Sequence, residues 1–200
     1  MPNNSQKKGG FGLRKILLID SSPRINGNSE VIVVTLANVL QHQDVTVFKM
    51  YEKNCNPCSA CGACQGKETQ NCVQADDITT LLPLIEECDA IVMATPIYNH
   101  QMNSQAKMLI ERFYPFFNIE KKHMSNTSKF GKKAAFISSC WGGPKDIYKK
   151  YADWTLETFS QIGVEKTKAL VFDQIPGRGD IKLNEHYMSE LYKLAKWLEE

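Results

Sequence analysis

The chain has 200 residues and a net charge of +2, the length of one α/β domain with room for an insertion. Its composition, 42% hydrophobic and 23% charged, is globular rather than disordered or fibrous, and its apolar runs are too short to span a bilayer. Charge this close to balance asks for no polyanionic partner. We therefore expect neither nucleic acid nor membrane contact, and read the Lys pairs at 121–122, 132–133 and 149–150 as solvated faces.

Residues 1–12 are polar, with no hydrophobic signal core. Residues 1–13 thus read as a flexible leader, residues 14–200 as one domain, and the protein as cytoplasmic. Residues 16–19 are apolar without alternation, which suits a strand buried on both faces. They run into a loop holding Ser21, Ser22, Arg24, Asn26, Gly27, Asn28 and Ser29, and a helical pattern begins at Glu30. A helix N-terminus offers free N–H groups and a partial positive charge, so such a loop can hold a phosphate. Pro23 and Gly27 shape the turn, and Arg24 can add a bidentate contact. The competing account is a plain strand-to-helix turn with Asn28 or Ser29 as N-cap. Neither G-x-x-x-x-G-K-[ST] nor G-x-G-x-x-G is present. A hydroxyl-rich loop that uses no Lys fits a monophosphate such as that of FMN better than a triphosphate with magnesium.

The helix of residues 30–40 carries Val31, Val34, Leu36 or Ala37, and Val39 at helical spacing. A short strand over 45–50 follows, then a Cys-rich loop over 51–75 that exceeds a usual connection. Asp76 and Asp77 open a helix that runs to about Glu87, which Pro83 should kink or split. Residues 90–94 form another apolar strand, ending in a loop over 95–100. A helix over 104–114 stops at Pro115, and residues 133–139 are the fourth strand, ending in a loop over 138–143. Pro144 suits the first turn of a helix that ends near Gly163. Residues 164–172 are the fifth strand, and a turn over 176–179 leads to a last helix reaching about Leu198. Five β-α alternations imply one doubly wound parallel sheet with ligands held at the carboxyl ends of its strands. The loops after strands one, three and four fall at that edge.

Three of these loops agree in order and spacing with one family. Ser22-Pro-Arg-Ile-Asn-Gly-Asn-Ser29, Thr95-Pro-Ile-Tyr98 with Lys107 and Glu111-Arg112 downstream, and Ser138-Ser-Cys140 together resemble the flavodoxin-like NAD(P)H-dependent FMN reductases, and within them the iron–sulfur flavoproteins. The resemblance covers most of the chain from Arg14 on. It implies a flavodoxin-like five-stranded sheet of order 2-1-3-4-5 with the Cys-rich loop inserted after strand 2, bound FMN, and a homodimer or homotetramer. Carried onto this chain, it assigns Ser22, Arg24, Asn28 and Ser29 to the FMN phosphate. Pro96, Ile97, Tyr98 and Asn99 would lie along the isoalloxazine, and Ser139, Cys140, Trp141 and Gly142 would border its other edge. The family often has an aromatic residue where Asn99 stands and an Asp-Arg pair where Glu111-Arg112 stands. A flavin needs a flat apolar slot and N–H donors, which Pro- and Gly-containing loops can supply. Tyr98 and Trp141 offer flat faces, or packing at the sheet edge.

Five of the seven cysteines lie between Cys55 and Cys72. In a cytosolic protein such a cluster points to metal or redox use rather than to structural disulfides. Cys58-x2-Cys61-x2-Cys64-x7-Cys72 can supply the corners of a [4Fe–4S] cube, and the iron–sulfur flavoproteins carry this compact pattern. Ser59, Ala60, Gly62 and Ala63 leave room for the backbone to wrap and aim N–H groups at sulfur. Zinc, which prefers two separated C-x-x-C knuckles, is the weaker reading; reversible thiols and simple packing are the others. Cys55 is a fifth candidate ligand, while Cys88 reads as packing.

His100 and His123 read as surface residues. Arg178 could meet a pyridine nucleotide phosphate, but a plain turn is the favoured reading. The stretch 113–117 (Phe-Tyr-Pro-Phe-Phe) is either an oligomer contact or core. These readings converge on an FMN oxidoreductase taking hydride from NAD(P)H and passing it to a small redox acceptor such as a quinone or flavin. The rivals are an electron carrier with FMN and a [4Fe–4S] cluster serving a ferredoxin-like protein, and a non-enzymatic flavin- or metal-binding regulator.

Overall fold

The computed structural model describes residues 12–65, 71–118, 124, 125 and 127–200. The leader as far as residue 11, the Lys pair at 121–122, His123 and part of the Cys-rich loop lie outside the described residues.

The sheet has five parallel strands: β1 Lys15–Asp20, β2 Asp44–Lys49, β3 Ala90–Tyr98, β4 Lys132–Ser139 and β5 Val164–Phe172. Their spatial order is β2-β1-β3-β4-β5, with each neighbouring pair parallel. This is the expected flavodoxin-like order 2-1-3-4-5, with the Cys-rich loop after β2. The α-helices among the described residues are α1 Asn28–Val39, α2 Asp77–Glu87, α3 Ser104–Glu111, α4 Lys145–Glu157 and α5 Glu185–Glu199.

The unbroken apolar strands have a simple cause: both faces of the sheet are covered. Ile16 and Leu18 of β1 join a core with Ile32 and Leu36 of α1 and Leu191 and Leu194 of α5. Leu17 and Ile19 point the other way, into a core with Leu81 and Ile85 of α2, Leu109 of α3 and Leu156 of α4. Period-two alternation thus feeds two cores from one strand.

Local departures from expectation follow from tertiary pairing. Helix α1 starts at Asn28 with Gly27 as its N-cap, so neither Asn28 nor Ser29 is the cap. Its buried stripe is Ile32, Val33, Leu36 and the following Leu40, while Val34 faces outward. Helix α2 runs through Pro83 without splitting; Leu81, Leu82 and Ile85 around it are buried, and that packing holds the turn together. Strand β3 does not end at Ala94. Thr95 and Pro96 pair with Ser138 and Ser139 of β4, and Ile97 and Tyr98 pair back on Met102 and Gln101. The expected loop over 95–100 is therefore strand plus a two-residue turn at Asn99 and His100. Both turn residues have positive φ, 48° and 68°, the geometry that right-twisting hairpins demand and that Asn tolerates.

Helix α3 stops at Glu111, and Tyr114–Phe116 form a separate 3-10 turn. Of the aromatic stretch, Phe113 and Phe116 enter the core while Tyr114 is exposed. Pro144 caps α4 from outside rather than sitting in its first turn, and a 3-10 turn, Thr158–Ile162, carries the chain to a left-handed Gly163.

Candidate functional site

At the carboxyl edge of the sheet, the loops after β1, β4 and β5 and the end of β3 enclose a cleft of about 200 Å³. It is lined by Ser22, Arg24, Gly27, Asn28, Ser29, Pro96, Ile97, Tyr98, Ser139, Cys140, Trp141, Ile175, Pro176, Gly177 and Arg178. Ten of the twelve residues expected around a flavin are in this lining. Asn99 and Gly142 are not: Asn99 occupies the hairpin turn beyond Tyr98, and Gly142 lies further out on the β4 loop.

The loop between β1 and α1 is shaped from behind by carboxylates. Asp20 Oδ1 accepts the Ser22 N–H at 2.9 Å, and Glu30 Oε2 accepts the Asn26 N–H at 2.5 Å. Asn26 is held at φ 55°. Ser22 Oγ accepts the Arg24 N–H at 3.1 Å. At Gly27 an added Cβ would stand 2.9 Å from the Arg24 carbonyl oxygen and 3.3 Å from Ser22 Oγ, so the turn closes only around a glycine. Ser29, 1% exposed, has an Oγ with no partner although it lines the cleft. An orphaned hydroxyl beside the open N–H groups of α1 is an arrangement that an anion completes.

Asn28 lines the cleft and also makes two long-range bonds. Its Nδ2 donates to the Gly177 carbonyl at 3.0 Å and its Oδ1 accepts the Ile181 N–H at 3.1 Å. The side chain thus ties the loop after β1 to the segment after β5, which brings Ile175, Pro176 and Gly177 to the cleft. Those three carry no motif of their own. The only sequence signal for them is their position after the fifth strand at the ligand-binding edge.

The remaining wall is flat and partly apolar. Tyr98 lies under Arg24, whose guanidinium is 5.5 Å from the ring centroid. Ile97 and Pro96 continue that wall. Cys140 is fixed by two backbone bonds, its N–H to Phe172 and its carbonyl to the Ile175 N–H, at 2.9 and 3.1 Å. Burial, reinforced by Asp173, raises the Cys140 thiol above its ordinary value, so this thiol is neutral at physiological pH. Trp141 is 77% exposed and projects from the rim. His100 is outside the lining and bonds through Nδ1 to the Tyr148 hydroxyl at 2.9 Å.

A second small cavity lies in the Cys-rich loop. Cys58, Cys61, Cys64 and Cys72 line it together with Gly62, Arg112 and Pro115. Cys55 is not in that lining, and burial pushes its thiol up to about 11. All seven cysteines are free. Left-handed residues at Ala60 and Gly62 wrap the backbone, and the Ala60 N–H reaches Cys58 Sγ at 3.4 Å. The N–H of Ala63 and the Ser59 hydroxyl lower the Cys61 thiol, while burial raises that of Cys64. Among the described residues, no group of three or more His, Cys, Asp or Glu side chains could hold a metal ion as they stand. A cubane differs from a single ion in spreading its four thiolates around a larger body, and four thiols facing one cavity have the right donor chemistry for it.

Arg112 organises this region, and motif reasoning left it without a role. Its guanidinium, 1% exposed, bonds both oxygens of Asp76 at 2.8 and 3.1 Å, the Asn56 carbonyl at 2.9 Å, the Thr79 hydroxyl at 2.7 Å and Cys72 Sγ at 3.2 Å. Burial alone would raise the Asp76 carboxyl, but Arg112 and the N–H groups of Asn56 and Thr79 outweigh it and hold it at about 2. Asp76 is also the N-cap of α2. One buried ion pair therefore joins the Cys loop, the start of α2 and the end of α3.

Residues 14–147 match the model of a family described as NADPH-dependent FMN reductase. A protein of Archaeoglobus fulgidus named iron–sulfur flavoprotein is 35% identical over 104 residues, 51% of this chain and 46% of the relative. A protein of the same name from Methanosarcina thermophila is 29% identical over 143 residues, 70% of this chain and 72% of the relative. The chain spans about half the length of most of the curated relatives it matches. Among solved structures, the NAD(P)H:quinone oxidoreductase from Methanothermobacter marburgensis is similar in fold, with a TM-score of 0.72 at 12% identity over 94% of this chain and 98% of that one.

Proposed function

Because the chain belongs to the NADPH-dependent FMN reductase family, whose cofactor is FMN, we propose that it is an FMN-dependent NAD(P)H oxidoreductase. The acceptor would be a small molecule such as a quinone or a flavin. The observation that carries this reading is the cleft, where an orphaned Ser29 hydroxyl, a glycine-only turn and Arg24 converge at a helix N-terminus. Ser22, Arg24, Ser29 and the first N–H groups of α1 would hold the phosphate. Asn28 would keep the β5 loop against it. Pro96, Ile97 and Tyr98 would bound one edge of the ring, and Ser139, Cys140 and Trp141 the other. Bound FMN supplies hydride acceptance and onward electron transfer; the chain's own part is to orient the ring and leave one face open. Residues 14–200 form one FMN-binding domain in this reading. In this reading the protein is cytoplasmic and works as a homodimer or homotetramer. No helix among the described residues is long and apolar enough to cross a membrane.

A second reading has its own observation. Cys58, Cys61, Cys64 and Cys72 face one cavity beside a buried guanidinium, and the relatives named above are iron–sulfur flavoproteins. A [4Fe–4S] cluster on these four thiols would make the protein an electron carrier serving a ferredoxin-like partner. One anaerobic preparation tests both readings. Bleaching of the flavin bands by NADPH or NADH at catalytic rates supports the reductase. About four irons and matching sulfide per chain, with slow turnover, support the carrier. Bound flavin that neither nucleotide reduces would overturn the reductase reading.

A further inference from the structure

Behind the phosphate loop lie two buried carboxyl groups and one ammonium. Asp20 ends β1 and is 0% exposed. Its Oδ1 accepts the Ser22 N–H, and its Oδ2 has no partner. Lys49 stands opposite Asp20 across the β1–β2 rung, but its Nζ is committed to Glu30 at 2.7 Å. Glu30, 8% exposed in the first turn of α1, also takes the Asn26 N–H and, at 3.4 Å, the Tyr51 hydroxyl. The other charges on this side are Glu52, 3.8 Å from Lys49, and Arg24 of the loop itself. On the β3 side, the residue opposite Asp20 is Ala94, which brings no charge. Glu30 therefore has a bonded cation, whereas Asp20 feels Lys49 only at a distance and has no ion pair of its own.

An anion site with an unpaired carboxylate beneath it would repel its own ligand. We propose that FMN binds only when Asp20 is neutral: the protonated side chain positions the Ser22 turn under the phosphate, and its ionisation weakens the phosphate's hold. The inference rests on residues 22–29 being the phosphate site. Burial, helped by the charges of Glu30 and Glu52 and opposed by the Ser22 N–H and the more distant Lys49, pushes the Asp20 carboxyl up to about 7. The sign follows by linkage. Below that value the neutral form is already present and binding exchanges no proton. Above it, FMN must restore the proton, so its dissociation constant rises with pH toward a limit of about tenfold per unit. Riboflavin has the same ring and no phosphate, so it lacks this dependence.

The test is a titration of flavin-free full-length protein with FMN and with riboflavin between pH 7 and 9, read by quenching of flavin fluorescence. In that window the FMN phosphate is essentially a dianion, its second ionisation lying near 6 as in other phosphomonoesters. We expect the FMN dissociation constant to rise about tenfold or more across the window, with riboflavin constant within about twofold. In Asp20→Asn, which stays neutral and can still accept the Ser22 N–H, FMN binding should be tight and flat with pH; Asp20→Ser serves if that variant does not fold. An FMN profile that is flat, that runs parallel to riboflavin, or that keeps its slope in the variant overturns the inference. FMN and riboflavin binding equally at every pH would instead overturn the phosphate site itself.

Discussion

The cleft at the carboxyl edge of the sheet and the cysteine loop are built on opposite principles. The cleft is assembled from the ends of sheet strands and one helix N-terminus, so strand pairing sets its backbone: Pro96 against Ser139, Cys140 against Phe172 and Ile175. Its polar side chains are left partly unsatisfied, as Ser29 shows. Among its described residues, the cysteine loop borrows no strand. It is fastened by side chains, Arg112 to Asp76 and Cys72, and Gln65 Nε2 to the carbonyls of Tyr114 and Phe117 at 2.7 and 2.8 Å. Substitutions in the cleft should therefore alter ligand affinity and spare the fold, whereas substitutions in the loop's fastening should alter stability and spare flavin affinity.

The sharpest way to break that contrast is Arg112→Ala. It leaves the Asp76 carboxylate buried without its cation, and removal of one partner of such a pair is expected to destabilise by about 3–5 kcal/mol. Denaturant unfolding would show this, with FMN affinity unchanged within about twofold. Loss of FMN binding at unchanged stability would erase the distinction between the regions. Next in size is Arg24→Ala, which should weaken FMN by about 1.5–3 kcal/mol, the worth of a charged hydrogen bond, with no shift in the unfolding midpoint. Unchanged affinity would put the phosphate elsewhere.

A smaller effect is expected at Gly27. Gly27→Ala pushes a methyl against the Arg24 carbonyl and Ser22 Oγ, an overpacking of about 1–2 kcal/mol. We expect it mostly as lost FMN affinity in a fluorescence titration, since the loop can open to relieve the contact. The smallest effect is at Cys55, outside the cavity of the other four thiols. Cys55→Ser should change neither FMN affinity nor the iron and sulfide content measured on anaerobic protein. Loss of iron in that variant would place Cys55 among the ligands.

The parallel strands and the polar turn after β1 were legible in the sequence because their signals are local, while the strand order came only from the family resemblance. Unbroken apolar runs mark strands covered on both faces, and Ser22, Arg24, Gly27 and Ser29 are consecutive parts of one turn. What was not legible depends on partners distant in the chain. The pairing of Thr95 and Pro96 with β4 turned an expected loop into strand. The bonds of Asn28 to Gly177 and Ile181 were not legible, because those partners lie about 150 residues away. Asn99 departs from the family's aromatic residue, and its positive φ in the hairpin turn gives that departure a backbone reason. Arg112 and Asp76 are 36 residues apart, and no spacing rule joins them. The four cysteines were visible as a group, and only the fold separated Cys55 from them.

A stoichiometric titration of flavin-free protein with FMN decides whether the cleft holds FMN by its phosphate end. We expect saturation at one FMN per chain with quenched flavin fluorescence, and a clearly weaker curve in Arg24→Ala. No binding, or binding that Arg24→Ala leaves untouched, would contradict this expectation.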